Sequence, residues 1–368
     1  MREKQTRMNS SFSITVLPGD GIGLEVTPAA LTVAKAALAK TGGPALTLDE
    51  HDIGAGAYQR TGTDFSDEAK AACQSADAIY LGAAGLPHVR KSDGTEITPQ
   101  IDLRFLLGLY AGVRPTRAIP GVPTPLASPR AAEIDFTLVR ESTEGLFASI
   151  GKGYVENDET AHDFMIITRK TSEDVIGFSF AEARRRGKSA PKVTLIDKAN
   201  VFVSFAFMRK IFDEIAQKHP DVASERLYVD ASTLWFLARP WDFDVIVTEN
   251  MFGDILSDLA AGLVGGMGYA PSGDIGNNHA VFQPAHGSAP DIAGSGKANP
   301  TAAILSAAMM LDWLGTRHDV PSMVDAGTLI HRAVDVAFGS GSLLTCELVG
   351  ASGVKEVTNG VLDALKAG

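Results

Sequence analysis

The chain has 368 residues, which exceeds the size at which a single core usually splits, so two domains are predicted. Hydrophobic residues make up 45% and charged residues 21%, as in ordinary globular proteins. The net charge of −11 and the pI near 5.2 argue against nucleic acid or an anionic membrane as the main partner, although a local arginine cluster can still bind a small anion.

Neither a secretory signal nor a membrane span is predicted. Residues 1–13 are polar and charged without an apolar h-region. No uninterrupted apolar stretch reaches the roughly 18 residues that a membrane span needs. Cys73 and Cys346 are too few for a disulfide framework or a zinc site, and both are interpreted as inert core thiols. A soluble cytoplasmic protein is expected.

Strands and helices alternate through most of the chain, which predicts an α/β fold with a largely parallel sheet. The predicted strands are Ser13–Leu17, Ala78–Leu81, Phe136–Val139, an antiparallel Asp163–Arg169, and Val193–Ile196. The predicted helices span about 25–39, 173–186, 201–218 and 301–315. The proline-rich segment Pro115–Pro129 is interpreted as a crossover between domains.

The first strand ends in a glycine loop, Gly19-Asp20-Gly21-Ile22-Gly23-Leu24. A dinucleotide-binding Rossmann motif requires a glycine three positions after its second one, and Leu24 stands there. The loop therefore predicts a tight turn that approaches a ligand rather than a Rossmann domain.

Two carboxylates lie one helical turn apart in the segment TENMFGDILSD, residues 248–258. The segment follows the apolar run Val245–Val247 and opens a helix, so Asp254 and Asp258 share one face. Like charges at that spacing destabilise a helix by a few tenths of a kcal/mol, which a divalent cation with oxygen ligands would offset. A solvated acidic helix face is the alternative interpretation.

Arg104, Arg114 and Arg140 form the next signal. Arg140 ends an apolar strand, and the ends of such strands face the crevice of an α/β sheet. Arginine binds carboxylates through a planar fork of donors, so three arginines that converge would suit a dicarboxylate or a tricarboxylate. Taken singly, each is also compatible with a surface ion pair.

Three further segments carry candidate polar groups. Lys198 follows the strand Val193–Ile196 and is a candidate general base, although most lysines are solvated surface charges. Asp230 ends the apolar stretch at 227–229 and is a candidate oxygen ligand, a partner of Lys198, or a capping residue. Asp291 lies on a glycine-punctuated loop, where it would accept hydrogen bonds from ribose hydroxyls and repel a 2′-phosphate, or cap a turn.

Together these segments resemble the metal-dependent β-decarboxylating dehydrogenases, which include the 3-isopropylmalate, isocitrate, homoisocitrate and tartrate/D-malate dehydrogenases. The resemblance runs from about residue 13 to residue 315 and preserves the order of every motif. The matching segments are LPGDGIG at 17–23, the Arg104/Arg114 pair, VRESTEG at 139–145, DKAN at 197–200, VDAS at 229–232, TENMFGDILSDLAAGL at 248–263 and HGSAPDIAGSGKANP at 286–300. Agreement of all seven by chance is negligible.

The resemblance implies oxidation of a (2R)-malate by NAD(P), with Mg²⁺ or Mn²⁺ as Lewis acid, followed by decarboxylation. It also implies a role for each matched residue. Asp254 and Asp258 of one subunit and Asp230 of the other bind the metal, Lys198 is the general base, Arg104, Arg114 and Arg140 bind the substrate carboxylates, Asn200 lies near substrate and nicotinamide, and His286, Gly287, Ser288, Ala289, Asp291 and Asn299 hold the adenosine end. Members that use NADP place Lys and Tyr at positions 291 and 292, so Asp291 and Ile292 favour NAD.

The implied fold is an isopropylmalate/isocitrate dehydrogenase-like, two-domain, open mixed α/β sheet, not a Rossmann fold. A cofactor-binding domain would combine 11–110 with 266–368, and 111–265 would bind metal and substrate and form the dimer. An arm at about 148–170 would clasp the partner subunit of a homodimer with shared active sites. Dimer and tetramer are not distinguished.

The chain departs from the family at two places. Phe147 stands seven residues after Arg140, where the family has a tyrosine that protonates the enol, and Tyr154 is a speculative substitute. Isopropylmalate enzymes carry leucines at the positions of Gln100 and Ile101, whereas Thr98 and Gln100 resemble the polar Ser and Asn of isocitrate enzymes. A polar 3-substituent, or none, is expected.

The leading prediction is an NAD-dependent, Mg²⁺- or Mn²⁺-dependent oxidative decarboxylase of a 3-substituted (2R)-malate. One alternative is oxidation without efficient decarboxylation, because Phe147 cannot donate a proton. The other is a non-catalytic regulatory subunit, which the retained Lys198 and the three aspartates oppose.

Overall fold

The computed structural model describes residues 11–368, in which strands and helices alternate. The strands are β1 (Ser11–Gly19), β2 (Ala45–Glu50), β3 (Ala78–Ala83), β4 (Ala111–Arg117), β5 (Asp135–Glu141), β6 (Tyr154–Glu156), β7 (Thr160–His162), β8 (Lys192–Asp197), β9 (Ala223–Tyr228), β10 (Val245–Thr248), β11 (Pro271–Ile275) and β12 (Ala280–Pro284). The α-helices are α1 (Gly23–Thr41), α2 (Ala55–Thr61), α3 (Asp67–Ser75), α4 (Pro99–Leu107), α5 (Arg169–Arg185), α6 (Val203–Ala216), α7 (Val229–Ala238), α8 (Asn250–Leu263), α9 (Thr301–His318), α10 (Pro321–Gly339) and α11 (Val354–Ala367).

One mixed sheet of ten strands runs through the molecule in the order β2-β1-β3-β12-β11-β4-β5-β10-β8-β9. The strands at both ends of this order are parallel, and the three central ladders, β12–β11, β11–β4 and β4–β5, are antiparallel. The remaining pair, β6–β7, forms a separate two-stranded ribbon. The α/β class and the open mixed sheet are therefore confirmed.

Separate hydrophobic cores form on the two sides of the central ladders. Helices α1, α9, α10 and α11 pack around β1, β3 and β12, while α5 and α6 cover one face of β5, β8 and β10 and helices α7 and α8 cover the other. The first core also contains Val113, Ile119 and Val122, so packing crosses the predicted boundary at residue 111. The division into 11–110 with 266–368 and 111–265 stays a prediction.

Two local expectations are wrong. The segment Asp163–Arg169 is not a strand, because Ile166 forms only one bridge with Gly145 and the Thr168 side chain already caps α5. Cys73 is buried, but Cys346 is exposed and is not a core thiol. The segment Pro115–Pro129 begins within β4, where Pro115 is tolerated because β11 pairs only with residues 111–113, and its role as a crossover between domains stays a prediction.

Two observations concern the molecule's surface and ends. No helix among residues 11–368 is long and apolar enough to cross a membrane. Residues 1–10, on which most of the prediction about a signal sequence rests, lie outside the described part of the chain.

A cavity of about 690 Å³ lies against one face of the central strands. Its floor includes Val113 and Pro115 of β4 and Phe282 of β12, and helices α5, α9 and α10 form its walls. Trp313 and His331 also line it. Because side chains alternate along a strand, Arg114 of β4 points to the opposite face of the sheet.

Candidate active site

Three buried arginines meet at the antiparallel centre of the sheet. Arg114 lies on β4, Arg140 near the end of β5, and Arg104 in α4, which ends four residues before β4 begins. Their exposed fractions are 6% for Arg104, 7% for Arg114 and 3% for Arg140, which excludes the alternative of three separate surface ion pairs. The structure thus brings the predicted substrate-binding arginines together in one buried cluster.

A carboxylate that sequence reasoning missed lies within this cluster. Asp274 of β11 is 1% exposed and accepts a hydrogen bond from Arg104 Nε at 3.3 Å, while its Oδ1 lies 3.7 Å from a terminal nitrogen of Arg114. Gln283 of β12 donates to its other oxygen at 2.9 Å. A lone aspartate in the otherwise neutral segment Pro271–Ile275 was the available signal, because buried aspartates are almost always paired.

Glycine at position 112 creates the space that this carboxylate occupies. In the sheet register Gly112 pairs with Asp274 on one side and with Arg140 on the other. A Cβ atom at Gly112 would lie 3.1 Å from Asp274 Oδ1 and 2.6 Å from Ser142 Oγ. A side chain there would clash with Ser142 and crowd the Asp274 carboxylate.

Burial and the charges of neighbouring groups shift the pKa values of the residues in the cluster. Burial lowers the pKa of Arg140 to about 10, with a further contribution from Arg104. Burial also lowers the pKa of Arg114. Burial alone would raise the pKa of Asp274, but the three arginines hold it below its usual value. Asp274 is therefore charged and acts as the counter-ion of the cluster.

Helix α8 places the predicted metal-binding pair next to Arg140. The Glu249 side chain caps the helix by accepting from the backbone N–H groups of Met251 and Phe252. Gly253 lets the helix approach β5 closely, since a Cβ there would lie 2.6 Å from Arg140 Cβ. Arg140 donates from Nε to Asn250 Oδ1 at 2.9 Å and contacts the Asp254 carboxylate.

The donor set on α8 fits a divalent cation. Asp254 and Asp258 supply hard oxygen ligands one turn apart, and both are exposed. Burial of part of its surface and repulsion by Asp254 raise the pKa of Asp258, and a bound cation would remove that repulsion. Among residues 11–368 no group of three or more His, Cys, Asp or Glu side chains is arranged to hold a metal, so one chain offers only two of the three predicted aspartates together.

Lys198 and Asp230 form a pair of their own. Lys198 follows β8, and its Nζ donates to Asp230 Oδ1 at 2.6 Å. Asp230 lies in the first turn of α7 rather than at a strand end, and the hydrogen bond from Lys198 lowers its pKa. Asn200, two residues after Lys198, is exposed. The structure joins this predicted base to this predicted ligand.

The predicted cofactor residues lie beside the glycine loop. Ile22 N–H donates to the Ser288 carbonyl at 2.8 Å, which joins the two loops. His286 Nε2 and Asn299 Nδ2 are buried without a hydrogen-bond partner among the described residues, and burial lowers the pKa of His286. Gly287 and Asp291 are exposed, and Ala289 adopts a positive φ of 37°. Buried nitrogens without a hydrogen-bond partner, together with an exposed carboxylate, suit a polar ligand such as a nucleotide.

The residues that depart from the family lie near the arginines or in the arm. The Phe147 ring is 5.1 Å from the Arg140 guanidinium carbon. Tyr154 instead stacks on His162 at 4.6 Å and is 58% exposed. Thr98 precedes α4 at its N-cap, and Gln100 Oε1 is buried without a hydrogen-bond partner in the described chain.

Comparison with known proteins agrees with this arrangement. Residues 13–363 match the family described as isocitrate/isopropylmalate dehydrogenase. The 3-isopropylmalate dehydrogenase of Corynebacterium kroppenstedtii is 42% identical over 346 residues, which cover 92% of this chain and 97% of that protein. The corresponding protein of Streptomyces coelicolor is 42% identical over 328 residues, covering 87% and 92%.

Solved structures show the same fold. An isocitrate dehydrogenase from Methylococcus capsulatus superposes with a TM-score of 0.84 at 35% identity, covering 96% of this chain and 99% of that one. A β-decarboxylating dehydrogenase from Thermococcus kodakarensis gives 0.79 at 35% identity, covering 97% and 96%. The predicted enzyme class is thereby confirmed, and the chain belongs to the isocitrate/isopropylmalate dehydrogenase family.

Proposed function

We propose that this protein oxidises a (2R)-malate, with or without a 3-substituent, to a 2-oxo acid using NAD and a divalent cation, and that decarboxylation follows oxidation. The observation that supports this proposal best is the buried arginine cluster beside Asp254 and Asp258. Arginines bind carboxylates, and the aspartates bind a cation, so one small molecule can contact both groups at once. A malate, which combines carboxylates with a hydroxyl group, fits that requirement.

The arginines orient the substrate. Arg140 is fixed by Asn250 at 2.9 Å, and Arg104 by Asp274 at 3.3 Å, so neither side chain must be ordered when the substrate binds. Such preorganisation holds the hydroxyl-bearing carbon in one orientation for hydride transfer. Cationic groups around a leaving carboxylate also favour its retention until the oxidation is complete.

The metal would be held by Asp254 and Asp258 together with Asp230 of a second copy of the chain. Mg²⁺ and Mn²⁺ both accept such carboxylate ligands. When bound, the cation supplies Lewis acidity to the substrate's hydroxyl and neighbouring carboxylate oxygens. Arg140 contacts Asp254 and would share that carboxylate with the cation.

Lys198 would remove the hydroxyl proton. Its Nζ donates to Asp230 at 2.6 Å, which holds the amine beside a proposed metal ligand. For Lys198 to act as a base, Asp230 must transfer its interaction to the cation. This requirement explains why a base and a metal ligand lie within hydrogen-bond distance.

NAD is the proposed oxidant, bound by His286, Ser288, Asn299 and the loop that carries Asp291. His286 and Asn299 each retain a buried nitrogen without a partner in the described chain. The exposed carboxylate of Asp291 would accept bonds from ribose hydroxyls and repel the 2′-phosphate of NADP. When bound, NAD would supply the hydride acceptor for the oxidation.

A homodimer with shared sites is part of the proposal. Helix α7, which carries Asp230, exposes Leu234 at 67% and Leu237 at 55%, and Ile255 of α8 is 61% exposed. Exposed apolar side chains on neighbouring helices are typical of a subunit interface. The arm, with Tyr154 and Val155 exposed in β6, would add a clasp.

Purified protein tested against a substrate panel decides the proposal. Isopropylmalate, isocitrate, homoisocitrate, tartrate and D-malate are each offered with NAD or NADP, and with Mg²⁺, Mn²⁺ or EDTA. We expect NADH formation from at least one malate with either cation, no turnover in EDTA, and a lower kcat/KM with NADP. No reduction of either cofactor by any compound would contradict the proposed substrate class and favour a regulatory subunit.

A second candidate function is oxidation without efficient decarboxylation. It is favoured by the position of Phe147, whose ring lies 5.1 Å from the guanidinium of Arg140 and offers no proton to an enol. Product analysis separates the two: release of one CO₂ for each NADH supports decarboxylation, and a 2-oxo acid that retains its β-carboxylate supports oxidation alone.

A further inference from the structure

The arginine cluster already contains its own anion. Asp274 lies between Arg104 and Arg114, with one oxygen 3.3 Å from Arg104 Nε and the other 3.7 Å from Arg114. It is 1% exposed, and Gly112 leaves the space that it fills. Buried guanidinium groups need a counter-ion when no substrate is bound, and Asp274 supplies one. The same carboxylate also opposes part of the charge that would attract a substrate.

The positive charges of the cluster are opposed before any ligand arrives. Arg104 and Arg114 face Asp274, and Arg140 contacts Asp254. Asp258 and the buried Glu249 also interact with Arg114 and Arg140, respectively. The arginines therefore offer a substrate little positive charge that is not already opposed, and a bound divalent cation would supply the rest.

We propose that Asp274 is a specificity-determining residue, a fixed counter-ion of the arginine cluster that selects substrates with two carboxylates over substrates with three. Two carboxylates match the two positive charges of a divalent cation. A third carboxylate would enter a buried site without an unopposed cation, where repulsion is strong because the surroundings screen it poorly. The inference rests on the proposed function and narrows it to malates with a neutral 3-substituent or none.

The segment that would face the 3-substituent does not by itself make this selection. Gln100 and Thr98 are polar but uncharged, and Gln100 Oε1 is buried without a partner in the described chain. An amide presents both a donor and an acceptor, so it can contact a hydroxyl or a carboxylate. The charge at 274 is therefore the feature that separates dicarboxylates from tricarboxylates.

Gln283 allows the effect of the charge on Asp274 to be tested separately from the effect of its hydrogen bond. Its amide donates to Asp274 Oδ2 at 2.9 Å, so Asp274→Asn combined with Gln283→Glu moves the negative charge to the neighbouring strand and retains a hydrogen bond between the two side chains. The single variant Asp274→Asn removes the charge alone. Asp335→Asn is the matched control, because Asp335 pairs with Arg117 of the same strand β4 on the opposite face at 2.8 Å.

The experiment measures the affinity of each variant for isocitrate and for two dicarboxylates, D-malate and isopropylmalate. Kd is determined by calorimetric titration of the protein with Mg²⁺ and without NAD, so that no turnover occurs, and kcat/KM is determined with NAD and Mg²⁺. We expect the unchanged protein to prefer a dicarboxylate in both measurements. Asp274→Asn should shift the ratio of affinities, and of kcat/KM values, towards isocitrate by about tenfold or more, because one opposing charge is lost.

The double variant should return the ratio towards that of the unchanged protein, and Asp335→Asn should leave it unaltered. If Asp274 has only a structural role, Asp274→Asn should instead weaken the binding of all three compounds equally, and such a uniform loss overturns the proposal. Preference of the unchanged protein for isocitrate also overturns it while the proposed function stands. If no malate is bound or oxidised, the proposed function itself is wrong.

Discussion

At the scale of single residues, Phe147 is the side chain on which the proposed chemistry depends most. It lies beside Arg140, in a position to contact a substrate held by that arginine. Phe147→Tyr adds a phenol at the ring edge and so supplies a proton donor. We expect the rate of enol protonation, which forms the final 2-oxo acid after CO₂ has left, to rise by about 10²-fold or more, because positioned general acids contribute at least that much.

The measurement is the single-turnover rate of each step: NADH formation, CO₂ release and appearance of the final 2-oxo acid. Phe147→Leu is the control, since it changes packing against Arg140 without adding an acid, and it should not accelerate protonation of the enol. Equal rates in the phenylalanine and tyrosine proteins would show that protonation of the enol does not depend on position 147.

Glu141 is the second residue with a distinct prediction. It follows Arg140 in β5, is 4% exposed, and accepts hydrogen bonds from Thr143 and from the Glu144 N–H. Burial raises its pKa to about 7. Because its pKa is raised in the folded state, protonated Glu141 stabilises the folded protein. This stabilisation is fully present below the unfolded pKa and is lost as pH rises through about 7.

Glu141→Gln should remove that pH dependence. Between about pH 5 and about pH 8 the unchanged protein should lose about 3 kcal/mol of unfolding free energy relative to the variant. Urea denaturation at both pH values measures the difference. Glu133→Gln, which removes an exposed carboxylate paired with Arg130, is the control and should follow the unchanged protein. Parallel pH curves for all three proteins would contradict the assigned burial effect.

At the scale of secondary-structure elements, α8 joins the arginine cluster to the proposed metal site. Asp254→Asn removes one of two carboxylate ligands on this helix and should abolish stabilisation by Mg²⁺ or Mn²⁺. For the unchanged protein at about 100 times Kd, that stabilisation is about 2.7 kcal/mol. Thermal unfolding with and without cation measures it, without reference to activity.

The control for α8 is Asp363→Asn in α11, where the carboxylate pairs only with Lys366 on the surface. This variant should retain the full response to the cation. A cation response in Asp254→Asn equal to that of the unchanged protein would remove Asp254 from the site.

The elements also show which parts of the fold the sequence could predict. The strand before α8 and the helix itself are predictable because Val245–Thr248 is wholly buried and a polar residue, Glu249, caps the N-terminus of α8. The strand prediction for segment 163–169 is wrong because its alternating pattern imitates a strand, although Thr168 already caps α5. Local alternation carries no information about whether a partner strand exists.

The residues of the candidate site also fall into those that the sequence could identify and one that it could not. Arg104, Arg114 and Arg140 were identified from residue type and position, and the structure places them together. Asp274 was missed because its role depends on strand register: Gly112 brings it between two arginines from elements far away in the chain. Contacts between β11, β4 and α4 cannot be read from spacing along one segment.

At the scale of the whole molecule, the proposed function requires a second copy to complete the metal site. Among residues 11–368 no three potential metal-binding side chains are grouped, although α8 supplies two and α7 carries a third. Leu234→Glu, on the exposed face of α7, should therefore yield a folded monomer that has lost nearly all activity. Sedimentation velocity and circular dichroism measure assembly and folding separately.

Val349→Glu is the matched control, because Val349 is an apolar side chain that is 98% exposed outside α7 and α8. It should leave assembly and activity unchanged. A monomeric Leu234→Glu protein with full activity would show that each chain completes its own site.

The cavity of about 690 Å³ lies on the other side of the strands that carry the arginines. Val113 and Pro115 line it, whereas Arg114 between them points to the opposite face, towards the proposed substrate site. The two faces of β4 thus carry the arginine cluster and the cavity, so a shift of this strand would change both. Trp313 lines that cavity, and the chain has only 3 tryptophans. We therefore expect the indole emission to change if ligand binding at the arginines moves β4, a response readable from the reverse side of the sheet without a label.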